Sequence, residues 1–417
     1  MKILVCPAGS HGDVLPLIGV GKELQHRGHQ VHVISNASFE PLVREAGLAF
    51  TASSAAEAMT ALLNDSGVTD SMTGLALIAK GVMESIGPSH EVLLREMEPG
   101  RTIVVGSSFA LATRLLSETH HVPSVTLHLS PSWFRSDHVA PSLGPLGHLA
   151  WAPRFIKRGL WKAADRRFLD PLFTEPFNRI RAGMGLAPVQ RMLHEWIHQA
   201  DLTLGMFPEW FAPRQPDWPR HLVLTGFPLY DHGNAGDTLP ADVEAFLAAG
   251  DPPVAFTAGT ANATSHAFYA ASAQACGLSG RRGILLTQDA RQLPATLPAG
   301  VAHFSYVPFK ALLPRLAAFV HHGGIGSTSQ GLLAGVPQLI RPMAYDQFDN
   351  ASRAVSLGVA SQLLPRRYRP QTAARALDRL VADRQVQRRC HQVAGQTRGC
   401  DGIHAACDAI LRLNPGG

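Results

Sequence analysis

His321–Asn350 reads HHGGIGSTSQGLLAGVPQLIRPMAYDQFDN. It divides into a strand end, a glycine-rich turn, a helix start, a second strand, and a loop that holds an acid–amide pair. The first strand is expected over Ala318–His321, ending at His322-Gly323-Gly324. The helix is expected to begin near Gly326, with Ser327 and Thr328 in its first turn. The unpaired N–H groups and positive dipole end of a helix start favour an anion. Glycines let the backbone approach phosphate oxygens, hydroxyls add donors, and His322 can donate one more hydrogen bond. The competing reading is a tight turn required only for packing. Downstream, Gly335-Val336-Pro337 turns the chain into a strand at Gln338–Arg341, and Asp346-Gln347 follows. Ligands of open α/β sheets bind beyond the C-terminal strand ends, so this pair is expected in the crevice of the His322 loop. A carboxylate accepts hydrogen bonds and an amide both donates and accepts, which suits paired sugar hydroxyls. Asp346 could also serve as a helix N-cap. A diphosphate beside a polyol is the chemistry of a nucleotide sugar.

The same alternation extends on both sides. Strands are expected at Val254–Thr257, Gly283–Thr287 and Val301–Tyr306, with helices between. The N-terminal half opens with a buried-strand run, Ile3–Cys6, then the glycine turn PAGSHGD and an apolar-periodic helix from Val14 to about His26, closed at Gly28. Val31–Ile34 completes a βαβ unit, which implies a parallel sheet. Thr102–Val105, Ser124–Leu127 and Leu202–Leu204 are further strands. Between Thr225 and Pro252 the composition becomes rich in turn residues, the usual character of a domain boundary. Two Rossmann-like α/β domains facing a cleft are therefore expected, over 1–228 and 253–400, with a linker at 229–252 and a terminal segment at 401–417.

The bulk numbers agree with that size. A chain of 417 residues is long for one core. With 46% hydrophobic and 17% charged residues it is globular rather than disordered. The net charge of +5 is mild for this length and compatible with anionic ligands or a membrane surface. No apolar run reaches transmembrane length, and MKILVCPAGS lacks a signal-peptide core. The five cysteines form no C-x-x-C pair and read as reduced thiols, placing the chain in the cytoplasm. One segment stands apart. WAPRFIKRGLWKAADRRFL (Trp151–Leu169) carries six Lys/Arg against one acid, with four aromatics interleaved. It reads either as an ordinary surface helix with its apolar face on the core, or as a helix lying peripherally on the inner face of an anionic membrane.

The His321–Asn350 segment resembles the donor-binding signature of the inverting two-domain nucleotide-sugar glycosyltransferases, the GT-B type. Ser305-Tyr306-Val307-Pro308-Phe309 matches that family's aromatic-x-Pro block, which implies that Tyr306 stacks on the nucleotide base with Val307 beside it. Phe256-Thr257-Ala258-Gly259-Thr260 resembles the first strand of the donor domain and its diphosphate-touching turn. The resemblance implies donor contacts from Gly12, Gly259, Thr260, Tyr306, Val307, His322, Gly324, Gly326, Ser327, Thr328, Asp346 and Gln347. It also implies an acceptor-binding first domain and a last helix, near Asp401–Leu413, that crosses back to it. Two positions depart from the plant members: Phe309 stands where they carry glutamine, and Gln330 where they carry a ribose-gripping glutamate. A neutral Gln330 suits a deoxyribose, hence a dTDP sugar.

A narrower resemblance is to the rhamnosyltransferases of rhamnolipid synthesis. It rests on Val105-Gly106-Ser107, Trp210-Phe211-Ala212-Pro213 with Asp217-Trp218-Pro219, Thr225-Gly226-Phe227-Pro228-Leu229, Gly323-Gly324-Ile325-Gly326 and Asp346-Gln347-Phe348-Asp349-Asn350. It implies dTDP-L-rhamnose as donor and a small hydrophobic hydroxylated acceptor, with no nucleic acid partner.

The family places its base in the turn that here reads Ser10-His11-Gly12-Asp13-Val14. Asp13 occupies the position of the general base, which takes the proton from the acceptor hydroxyl. Its competing roles are a helix N-cap before Val14 and a bystander to His11 as base. Gly106-Ser107-Ser108-Phe109 lacks the acid that would orient a histidine base, consistent with a carboxylate base, which needs no such orienter. No D-x-D triplet and no metal-ligand cluster occurs in the sequence, so metal-independent transfer is expected. A non-catalytic transferase partner and a sugar-nucleotide epimerase are the readings from other classes.

Overall fold

Buried runs of branched residues build two parallel sheets. The computed structural model describes residues 1–56, 71–142, 144, 149, 151–230, 238–259 and 265–413. In the first half the strands are β1 (Lys2–Cys6), β2 (Gln30–Asn36), β3 (Ala49–Ser54), β4 (Thr102–Ser107), β5 (Ser124–His128), β6 (Leu202–Gly205) and β7 (Leu222–Leu224). In the second they are β8 (Val254–Thr257), β9 (Gly283–Leu286), β10 (Val301–Phe304), β11 (Ala318–His321), β12 (Gln338–Ile340) and β13 (Ala360–Gln362). Every pairing is parallel. The central strands β4, β5, β8 and β11 are buried at every residue, as expected for strands covered on both faces. This is the α/β, two-Rossmann-like-domain class expected from the sequence.

Strand order decides where ligands bind. The sheets run β3-β2-β1-β4-β5-β6-β7 and β10-β9-β8-β11-β12-β13. Each reverses direction once, between β1 and β4 and between β8 and β11. Such a reversal opens a crevice at the C-terminal strand ends. The turns after β1 and β4 flank it in one sheet, and those after β8 and β11 in the other. These are the turns that carry Asp13, Ser107, Gly259 and His322.

The chain forms two compact units. One comprises Met1–Pro141, His148–Pro228 and Asp401–Gly417, and the other Ser142–Gly147 and Leu229–Cys400. The last helix (Gly402–Ile410) packs in the first unit on α1 (His11–His26): Cys407 Sγ lies 3.6 Å from the Val20 carbonyl, and Arg27 pairs with both Glu23 and Asp408. Gly402 is required there, because a Cβ would stand 2.3 Å from the Gly226 carbonyl oxygen. All five cysteines are free. No helix among the described residues is long and apolar enough to cross a membrane.

Three local expectations need correction. Helix α1 starts at His11, not Val14, because Ser10 and not Asp13 is its N-cap. The strand at Val301 stops at Phe304, leaving Tyr306 in a loop. The segment after Trp151 is not one helix: α2 (Arg154–Ala164) runs into a π-helical stretch, Asp165–Thr174, which contains Pro171. Proline has no N–H to give an α-helical ladder.

Candidate functional site

In the first unit the site is built on the turn after β1. Gly9 has φ +130°, and a Cβ there would stand 2.3 Å from Asp13 Oδ2, so only glycine lets the carboxylate fold over the turn. Asp13 is the third helical residue. Its Oδ2 accepts from the Ser10 N–H at 2.8 Å and from Ser10 Oγ at 3.2 Å, a capping-box arrangement. Oδ1 has no hydrogen-bond partner among the described residues. Removal from water raises the Asp13 pKa above its ordinary 3.8, and the two bonds from Ser10 pull it down. The side chain retains some solvent contact.

The turn is clasped from two neighbouring strands. Ser107 Oγ, at the end of β4, accepts from the Ala8 N–H at 2.8 Å and donates to the Ala8 carbonyl at 3.1 Å. Ser35 Oγ, at the end of β2, donates to the Pro7 carbonyl at 2.9 Å. These serines were missed as supporting residues; their only sequence signal is a hydroxyl at a strand end. His11 is exposed and stands edge-on to Phe39 at 5.1 Å, and Gly12 is exposed in the same first turn.

In the second unit the turn after β11 is held by His321, which is fully buried. Its Nδ1 accepts from the Gly323 N–H at 3.0 Å, so its Nε2 carries the proton and donates to Gln338 Oε1 at 2.8 Å. Gly323 has φ +92°, and a Cβ would meet Ile340 at 2.8 Å and the Gln347 carbonyl at 3.0 Å. Next comes His322, whose ring lies between two glycines: a Cβ on Gly259 or on Gly324 would stand 2.5 Å from it. Burial lowers its pKa to about 4, so the ring is neutral at neutral pH. The residue keeps part of its surface accessible, but Nδ1 is buried and has no hydrogen-bond partner among the described residues. A buried unpaired ring nitrogen is costly and calls for a partner.

Helix α3 (Ile325–Ala334) begins beside that ring, with Gly324 as N-cap and no side-chain cap. Its first N–H groups are therefore available to an anion. Gly326 is exposed and Ser327 half-buried in this turn. Thr328 does not fit the expected donor role: it is fully buried, and its hydroxyl donates to the Gly324 carbonyl at 3.0 Å. Gly259 follows β8 at φ +80°. The preceding peptide is held by Tyr269, whose hydroxyl accepts from the Ala258 N–H at 3.1 Å and donates to the Leu286 carbonyl at 2.7 Å. Thr260 lies outside the described residues. Tyr306 is 50% exposed in the loop after β10, whereas Val307 is buried in the core. Gln330 is buried in α3.

The acid–amide pair stands at the start of helix α4 (Gln347–Ser356). Tyr345, just before it, has φ +56°, a strained value for a side-chain-bearing residue that no sequence signal announces. Gln347 Oε1 accepts from the Met343 and Ala344 N–H groups at 2.8 and 3.2 Å, which shapes the loop. Asp346 occupies the N-cap position without a capping bond; its Oδ2 instead accepts from Asn350 Nδ2 at 2.8 Å. Asn350 is fully buried and also donates to the Gly323 carbonyl at 3.0 Å. One amide thus joins the acid–amide loop to the His322 turn. Asn350→Ala should lower stability by about 1–3 kcal/mol by removing both of these hydrogen bonds. Asn350→Asp should be worse, because a second carboxylate would face Asp346. Denaturant midpoints of the two variants check the order.

Among the described residues no three His, Cys, Asp or Glu side chains converge as a metal site would require. Residues 3–86 match the N-terminal domain model of glycosyltransferase family 28, and residues 281–399 match the erythromycin biosynthesis protein CIII-like C-terminal domain. The solved glycotransferase of kitacinnamycin superposes with TM-score 0.77 at 22% identity, over 99% of both chains. The chain has the GT-B glycosyltransferase fold. The two family models support a place among the GT-B glycosyltransferases. Among curated proteins, the O-mycaminosyltylonolide 6-deoxyallosyltransferase of Streptomyces fradiae is 27% identical over 428 residues, covering 98% of this chain and 97% of that one. The spinosyn rhamnosyltransferase SpnG, solved with thymidine diphosphate, shares the GT-B fold at TM-score 0.69 and 18% identity, over 99% of this chain and all of that one.

Proposed function

We propose that this glycosyltransferase moves a 6-deoxyhexose, L-rhamnose from dTDP-L-rhamnose, onto a hydroxyl of a hydrophobic secondary metabolite or lipid-like acceptor, with inversion. The carrying observation is the buried, unpaired Nδ1 of neutral His322, in a ring that abuts the uncapped start of α3. A nucleoside diphosphate satisfies both at once: its oxygens accept from the helix N–H groups, from Ser327 and from the protonated ring nitrogen. The half-exposed Tyr306 ring suits stacking on a base. Asp346 and Gln347 suit the sugar hydroxyls. Gly12 and Thr260 are assigned to the donor on resemblance alone.

In this reading the acceptor oxygen attacks the anomeric carbon and its proton passes to Asp13. The bond from that carbon to the diphosphate oxygen breaks, and the nucleoside diphosphate leaves carrying the electron pair. The thymidine preference is supported by the neutral Gln330 and by the thymidine diphosphate in the SpnG structure. A metabolite acceptor is supported by the deoxyallosyltransferase relative. Melting temperature measured against dTDP, UDP and GDP tests the donor assignment, since a ligand bound only by the native form raises it. The expected order is dTDP above UDP, with GDP inert. A chain shifted by none of them would remove the donor site. Incubation with dTDP-L-rhamnose alone should leave the sugar unchanged; an epimerised product would sink the transferase reading.

A further inference from the structure

The basic aromatic stretch of the first unit is folded inside out. Helix α2 turns Lys157 inward, where it is 4% exposed and donates to the His138 carbonyl at 3.1 Å. Asp165 is also buried, and Arg135 and Arg191 pair with it. Four apolar side chains point the other way, while Ile156 and Trp161 are half-buried. Trp151 is 76% and Phe155 74% exposed, the two largest values among the large hydrophobics described, and Leu160 and Phe168 are exposed as well. The expected packing of this segment's apolar face on the core is therefore not what the structure has. Arg154, Arg158, Lys162, Arg166 and Arg167 are exposed along the same stretch. From Trp151 to Ala164 there is no acidic residue. Arg158 pairs with the largely covered Asp137 at 2.7 Å.

We propose that this face docks on an anionic lipid bilayer, with Trp151 and Phe155 in the headgroup zone and the Arg/Lys side chains on lipid phosphates. The charge decides the occupant. An apolar protein surface would strip water from five cations and return nothing, whereas a bilayer interface takes aromatic rings and cations side by side. The helix has 11 residues, so it would lie on the surface rather than cross it. Docking of this kind would hold the enzyme where a lipid-soluble acceptor is concentrated.

The test is co-sedimentation of the full chain with vesicles of phosphatidylcholine alone, or carrying about one quarter phosphatidylglycerol. Binding is expected only to the anionic vesicles at low salt, falling about tenfold or more as added salt shortens the screening length. The double variant Trp151→Ala/Phe155→Ala and the triple variant Arg154→Gln/Arg158→Gln/Lys162→Gln should each weaken it by about tenfold or more. Both should keep the wild-type melting temperature and its rise with dTDP, so failure here is separable from failure of the donor site. Absence of binding to anionic vesicles overturns the proposal, as does binding unchanged in either variant. Self-association that the aromatic variant abolishes, without vesicle binding, would assign the face to a protein contact and overturn it too.

Discussion

Asp13→Asn should lower turnover by about 10²–10⁴-fold, the usual worth of a positioned general base, while the rise in melting temperature with dTDP stays at the wild-type value. The substitution is chosen for what it preserves. An asparagine carbonyl can still accept from the Ser10 N–H, so the cap of α1 and the fold of the turn over Gly9 survive. What is lost is the capacity to take a proton. Asp13→Ala would remove both, at about 0.5–2 kcal/mol for the cap, and could not separate them. Wild-type turnover by Asp13→Asn would remove Asp13 from the assigned role and leave His11 as the candidate.

The same residue sets a pH dependence. Burial raises the folded-state pKa of Asp13 above 3.8. The base works when ionised, so turnover should rise with pH through that raised value. Stability runs the opposite way. A carboxyl whose pKa is raised by folding stabilises most when protonated, and that contribution disappears as pH climbs through the folded-state value. At neutral pH Asp13→Asn should therefore be no less stable than wild type. A melting temperature clearly below wild type at neutral pH, and not at acid pH, would contradict this account.

Gly259→Ala should weaken donor binding by about tenfold or more and lower stability by about 1–3 kcal/mol. Two effects act together. The residue has φ +80°, which strains any side chain, and the added methyl would stand 2.5 Å from His322 Cε1 and 2.8 Å from its Nδ1. Its Nε2 is equally close, so the whole ring is displaced, including the nitrogen that lacks a partner. The double variant Gly259→Ala/His322→Ala separates the causes. It removes the clash, so melting temperature should recover part of the loss, while dTDP binding should not recover. Restored binding in the double variant would show that the imidazole does not hold the diphosphate.

Legibility in the sequence followed burial. The spans Val254–Thr257 and Ala318–His321 are β8 and β11 to the residue, because central strands covered on both faces are continuous apolar runs. The unforeseen strands β3, β7 and β13 read AFTASS, LVL and ASQ, and all three are sheet edges. An edge strand is covered on fewer sides, so it needs less apolar character and announces itself less. The glycine turn and the acid–amide pair were legible as types of chemistry. Their supports were not. Ser107 and Ser35 grip the Asp13 turn from strands distant in sequence, and Asn350 links two loops 27 positions apart.

Composition and periodicity alone determined that this chain is α/β, since that depends on local apolar runs, while residue types and a family resemblance singled out the glycine turn and the Asp13 turn as candidates. Only the tertiary structure decided that His322 is neutral with an unpaired buried nitrogen, and that Trp151 and Phe155 face outward. Each of these depends on which remote atoms surround a side chain, because desolvation and hydrogen-bond satisfaction are properties of the packed environment and not of neighbours in sequence.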